Sequence, residues 1–164
     1  MYHGDMNKSI DNPNYLLGIE LADARCNTLA QVAGLPGNYK AWLSDANTSP
    51  ATRFDTSFQG RYRLVSAGFP SIAHGWQDLV DGQLDHSIDA DETGAPVSGN
   101  SWTNTRSDGT LASTQHCKFW TYKNELGELT TTLGWTAVTD YKWSNVGSGQ
   151  VCSNVDHLYC FEDP

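Results

Sequence analysis

Positive charge is scarce in this chain. Its 164 residues carry 10 Lys and Arg against 19 Asp and Glu, a formal net charge of −9. Binding nucleic acid requires a basic patch that neutralises phosphates, so nucleic acid is excluded as an expected partner. Anionic membrane surfaces are excluded on the same ground. Charge of either sign is low, at 18% of residues against about a quarter in an ordinary soluble domain. Long apolar runs are missing as well. None approaches the about 18 residues of a membrane span, so no insertion by this domain is expected. Met1–Met6 is polar and does not read as a secretory leader, which suggests a mature chain or an excised domain with an added Met1.

The four cysteines lack the spacing of a metal site. None lies in a C-x-x-C, and the five histidines (His3, His74, His86, His116 and His157) are not placed with them as zinc requires. Disulfides are the better reading, which puts the chain in an oxidising compartment, and four cysteines permit three pairings. No G-x-S-x-G elbow is present. A Ser-His-Asp site assembled in space stays open from sequence alone.

Gly, Ser, Thr, Asn and Asp fill the place of the missing charge, which suits one loop-rich domain spanning residues 1–164. Tyr2–Met6 reads as an edge strand and Asn7–Asn14 as a loop. Gly18–Ala33 is the clearest helix. Ala22, Cys26, Leu29, Ala30 and Ala33 share one face, with Gly34 as a left-handed stop and Pro36 beyond it. Strands are expected at Tyr39–Ser44, Tyr62–Val65 and Ser101–Thr105, with strand-prone pieces over Thr130–Trp143. Trp76–Leu79 suggests one helical turn, and Asp108-Gly109 a tight turn. Cys117–Tyr122 is aromatic and half buried. Asp81–Glu92 is the densest acidic stretch and opens a long irregular region. Leu158–Phe161 reads as a buried closing strand that pairs with central strands. The sequons at Asn7 and Asn47 are read as chance occurrences.

These motifs together resemble a family. The run from Ala22 to Asp45, ADARCNTLAQVAGLPGNYKAWLSD, is similar to the signature of a bacterial extracellular domain placed with the C-type-lectin-like folds. That domain occurs in leptospiral endostatin-like surface proteins. Trp76–Asp85 matches its W-x-D-L-x-D-G-x-L-D segment. Trp102-Thr103 with Asp108-Gly109-Thr110, Cys117 with Trp120-Thr121, and Leu158–Glu162 match in order along nearly the whole chain. The resemblance implies an α+β fold with two helices packed on a twisted antiparallel sheet, a long loop region and adjacent chain ends. It also implies two disulfides, Cys26–Cys160 and Cys117–Cys152. The chain departs from sugar-binding C-type lectins in lacking Glu-Pro-Asn, Gln-Pro-Asp and Trp-Asn-Asp, since Trp102 is followed by Thr103-Asn104.

The functional expectation is a non-catalytic recognition or adhesion domain, outside the cell or on its surface, in a secreted or lipoprotein-anchored parent. It would bind a matrix or host protein through its loops. The alternatives are an atypical or calcium-independent carbohydrate-binding lectin, and a structural subunit of a surface filament. Enzymes of the formylglycine-generating type on this fold use reactive cysteines, and here the implied bridges leave no thiol to react. Trp102, Trp135 and Trp143 near Gly-rich loops, with Asp108, are the candidate ligand-binding residues. Trp42, Trp76 and Trp120 are assigned to the core. No cofactor is expected beyond a calcium ion, for which Asp81, Asp85, Asp89, Asp91 and Glu92 are the candidate ligands.

Overall fold

The computed structural model describes residues 2–3, 17–121 and 129–164. The expected Asn7–Asn14 loop, the Asn7 sequon, most of the Tyr2–Met6 strand and Tyr122 lie outside the described residues. Helix α1, Gly18–Val32, follows the predicted face and buries Ile19, Leu21, Ala22, Cys26 and Ala30. It ends as its sequence requires. Gly34 takes a φ of +73°, and the amides of Gly34 and Leu35 return to the carbonyls of Gln31 and Ala30.

Helix α1 lies on strand β2, Tyr39–Ala41, and completes its edge. Asn27 accepts from the Tyr39 amide at 2.8 Å and donates to the Tyr39 carbonyl at 2.7 Å. One helical turn earlier, Asp23 accepts from the Ala41 amide at 2.8 Å. Four residues of helix and two of strand each advance about 6–7 Å, so the two side chains meet alternate strand residues. Arg53 pairs with the other oxygen of Asp23 and donates to the Ala41 and Leu43 carbonyls.

Short elements follow: α2 Pro50–Arg53, β3 Arg61–Arg63, β4 Ser71–His74 and α3 Gly75–Leu79. Then come β5 Asn100–Trp102, β6 Thr130–Trp135, β7 Gly149–Val151, β8 Val155–Leu158 and β9 Cys160–Glu162. Adding β1, Tyr2–His3, the main sheet has the order β1-β8-β5-β6-β7. Two hairpin-sized sheets, β2-β9 and β3-β4, stand apart from it.

Two expectations need correction. The sheets are antiparallel except for one parallel pair, β5 with β8, so the main sheet is mixed. Only α1 exceeds five residues among the described helices. The second helix reduces to α3, which the backbone of Gly75 begins at a φ of +79°.

The closing stretch is one seam made of two strands. β8 lies between β1 and β5, the chain then turns at Tyr159, and β9 pairs with β2. Both implied disulfides are present, Cys26–Cys160 and Cys117–Cys152, with Cα separations of 5.5 and 5.8 Å. The first ties β9 to α1. The second ties the stretch before β8 to residues 117–120, where four consecutive residues have φ between 49° and 61°. That is a left-handed turn, which costs about 1–2 kcal/mol per non-glycine residue. It turns Cys117 and Trp120 inward and leaves Lys118 and Phe119 exposed. Trp120 Nε1 donates to the Ser44 carbonyl at 2.9 Å, and the Phe119 amide donates to His116 Nδ1 at 2.7 Å.

The core has two clusters. One is aromatic and centres on Trp42, whose ring touches Phe54, Trp76, Trp143 and Phe161. The other gathers α1, Trp102, Trp120 and three of the cysteines. Between them runs a buried hydroxyl network. Trp42 Nε1 donates to Ser144 Oγ at 2.7 Å, Ser144 Oγ donates to the Thr105 carbonyl at 2.8 Å, and Ser44 bonds Thr105.

Candidate functional site

The proposed ligand residues do not converge. Trp102 and Trp143 are fully buried, Trp102 edge-on against Trp120 and Trp143 against Trp42. Neither can stack on an external ligand, which corrects that expectation. Proximity to a Gly-rich loop misled because each indole packs against an aromatic ring far away in the sequence, Trp120 for Trp102 and Trp42 for Trp143. Trp135 is 43% exposed at the end of β6. Asp108 is exposed and accepts from the Thr110 amide and hydroxyl at 2.9 and 2.6 Å, so its carboxylate shapes a turn.

The calcium expectation is corrected as well. Among the described residues, no group of three or more His, Cys, Asp or Glu could share a metal ion. Asp81 accepts from the Gln83 amide and Asp89 from the Ser87 hydroxyl. Asp91 accepts from Thr93 and the Ala95 amide, and the Thr93 hydroxyl holds its carboxyl below the usual range. Asp85 and Glu92 do not join them at one point. Asp81 and Asp91 each close a local turn that points the carboxylate back at nearby amides, and Asp89 is taken up by the Ser87 hydroxyl.

The histidines are equally separate. The ring nitrogens of His86 and His116 bond backbone groups. His86 Nδ1 meets the Ser87 carbonyl, and His116 serves the left-handed turn.

What the chain does form is a cleft of about 740 Å³. That volume lies within the range of ligand sites. Its floor is the edge-to-face pair of Tyr62 and Phe161, 5.7 Å apart. Leu29 and Leu35 line the α1 side, and Ile88, Ala90 and Val97 line the side of the long loop. Charges stand at the mouth: Arg61 and Arg63 from β3, Asp91 and Glu92 from the loop, and Glu162 from β9. Burial, with Asp163 and Asp55 nearby, pushes the Tyr62 hydroxyl up to about 12, so it stays a neutral donor at any working pH.

The long loop closes one end. The Val97 amide donates to the Asp89 carbonyl and the Asp91 amide to the Ala95 carbonyl, so residues 89–97 pair with themselves. Gly94 rests on the backbone of Val65 and Ser66, where a Cβ would come within 2.7 Å of the Val65 carbonyl oxygen.

Of the residues that line this cleft, sequence reasoning named Asp91 and Glu92 as calcium ligands, Cys26 and Cys160 as a disulfide and His157 among the scattered histidines, none of them as part of a cleft. Apolar residues such as Leu29, Tyr62 and Phe161 were assigned to helix face and strand, as core. Whether an apolar side chain faces another element or an open cleft depends on what packs across from it, which no local pattern encodes.

Neither a protein-family model nor a curated protein matches the chain.

Proposed function

We propose that this chain is a non-catalytic recognition domain of the C-type-lectin-like kind, working outside the cell or on its surface. It binds a partner protein on the side formed by β3, β9 and the long loop. The cleft there is the observation that carries the reading. It is concave, apolar inside and charged at its mouth, as binding sites are. The paired cysteines support an oxidising location. The motif resemblance from Ala22 to Glu162 supports the family.

Surface plasmon resonance against a panel of purified matrix and serum proteins tests it, with reduced and alkylated chain as the unfolded control. Saturable binding by the native chain alone is expected. A panel no better than an unrelated acidic protein removes the reading.

A carbohydrate ligand is the second reading, favoured by Trp135, whose exposed ring is available for stacking on a sugar. A glycan array in calcium and in chelator separates the two. A flat array in both conditions ends this alternative.

A further inference from the structure

We infer that the cleft is a slot for one β-strand. An extended segment of the partner protein, apolar at every second residue, docks between β3 and β9 and joins the two small sheets into β2-β9-segment-β3-β4. This rests on the reading that the chain binds a protein.

The lining residues carry the inference. The cleft is touched by Arg61, Tyr62, Arg63, Leu64 and Val65 in unbroken succession, and by every residue from His157 to Glu162. Side chains of a strand alternate between faces, so a cavity on one face would meet every second residue. A cavity met by all of them runs along the strand's edge. Both edges are open among the described residues: β3 pairs only with β4, and β9 only with β2.

The two small sheets have four outer edges, and the fold covers the other two itself. Asp23 and Asn27 of α1 bond the outer edge of β2. The Asp85 amide donates to the Ile72 carbonyl on β4. The long loop, which reaches the cleft, pairs with itself instead of filling the gap. Unpaired strand edges are templates for an added strand.

The side-chain pattern defines the segment. β3 and β9 both run exposed, buried, exposed, with Tyr62 and Phe161 inward. Inward residues of a segment between them meet Tyr62, Phe161 and Leu64, and are apolar. Outward residues pass between Arg61 and Arg63 on one side and Glu162 on the other, and are polar. The free edges are the three residues of β9, Cys160–Glu162, and the three of β3, Arg61–Arg63, with Leu64 continuing the latter, so the paired part of the segment is about three to four residues, roughly 10–14 Å.

The probe is a displayed library of random dodecapeptides panned on the native, disulfide-bonded chain. Enriched sequences should alternate apolar and polar residues. A synthetic copy N-methylated at alternate residues should bind at least about tenfold more weakly, because it loses the amide donors that pair with one edge. Amide shifts on binding should concentrate at 61–65 and 157–162. An empty library, binding indifferent to N-methylation as for a simple apolar ligand, or shifts elsewhere overturns the slot. The peptide should also displace a partner protein found in the binding panel, and failure to compete overturns the slot as that protein's site. A partner that binds while the library stays empty leaves the recognition reading standing and removes this inference alone. Silence in both assays removes both.

Discussion

Replacing Cys26 and Cys160 together by Ala should cost more stability than any single core substitution. The bond closes a sequence separation of 134, and Cys117–Cys152 closes one of 35. Loop-closure entropy then contributes about 5 kcal/mol for the first bridge and about 4 kcal/mol for the second. The bridges are nested. With Cys117–Cys152 intact, the larger loop shortens to a path of about 100 residues, but the dependence is logarithmic and removes only about 0.3 kcal/mol. The order should widen in practice. Freeing Cys117 also lets the left-handed turn at residues 117–120 relax, which returns part of its strain and lowers the measured cost of the short bridge. A whole domain is stable by about 5–15 kcal/mol, so the Cys26–Cys160 variant should sit near its unfolding transition in water. Urea unfolding of the two double-alanine variants, followed by tryptophan fluorescence, measures this. The m-value should rise for both and more for the longer loop, because the unlinked denatured chain exposes more surface. If the short-loop variant proves the less stable, or if neither m-value changes, stabilisation through the denatured chain is wrong for this protein.

Gly134→Ala should destabilise by about 3 kcal/mol. An added Cβ would stand 1.8 Å from the Trp143 carbonyl oxygen, where the 3-10 turn Tyr141–Trp143 crosses β6; thermal unfolding reports it. Trp42→Phe should cost about 2–3 kcal/mol, through lost ring contacts and a Ser144 hydroxyl left without its indole donor. Denaturant midpoints check that value. Burial raises the carboxyl of Asp156 above its ordinary range, against weaker lowering by Asn100, Gln150 and His157. A folded-state pKa above the unfolded one favours the protonated form. Its contribution is therefore fully present below the unfolded value and is lost as pH rises through the folded one. Asp156→Asn should match the parent near pH 3 and exceed it at pH 7. A variant less stable at pH 7 than at pH 3, relative to the parent, would reverse the assigned sign. Tyr62 should be among the last tyrosines to ionise in a spectrophotometric titration, near pH 12, and an ordinary value would show that its burial is incomplete.

Much of the architecture was readable along the chain because its causes are local. The small-residue face of α1 and the Gly34 stop needed only helical spacing and a left-handed glycine. The burial of Trp42, Trp76 and Trp120 followed from the ordinary preference of indoles for the interior. Where partners come from far along the chain, local pattern failed. Trp102 and Trp143 looked exposed beside Gly-rich loops, yet they are buried by Trp120 and by Trp42. The Asp81–Glu92 carboxylates looked like a ligand set, yet they do not converge on one point, and those of Asp81, Asp89 and Asp91 are taken up by neighbouring residues.

Composition and motif order alone set an acidic, disulfide-linked α+β chain whose clearest helix is Gly18–Ala33 and which ends in a closing strand. Tertiary structure alone decided that this closing strand divides between two sheets, that α1 seals one edge of β2 with Asp23 and Asn27, and that among the described residues the edges of β3 and β9 stay open around a cleft. The physical reason is that a strand's hydrogen-bonding edge belongs to its backbone, which is the same for every residue. Only the placement of neighbours determines whether that edge is paired, capped or left free.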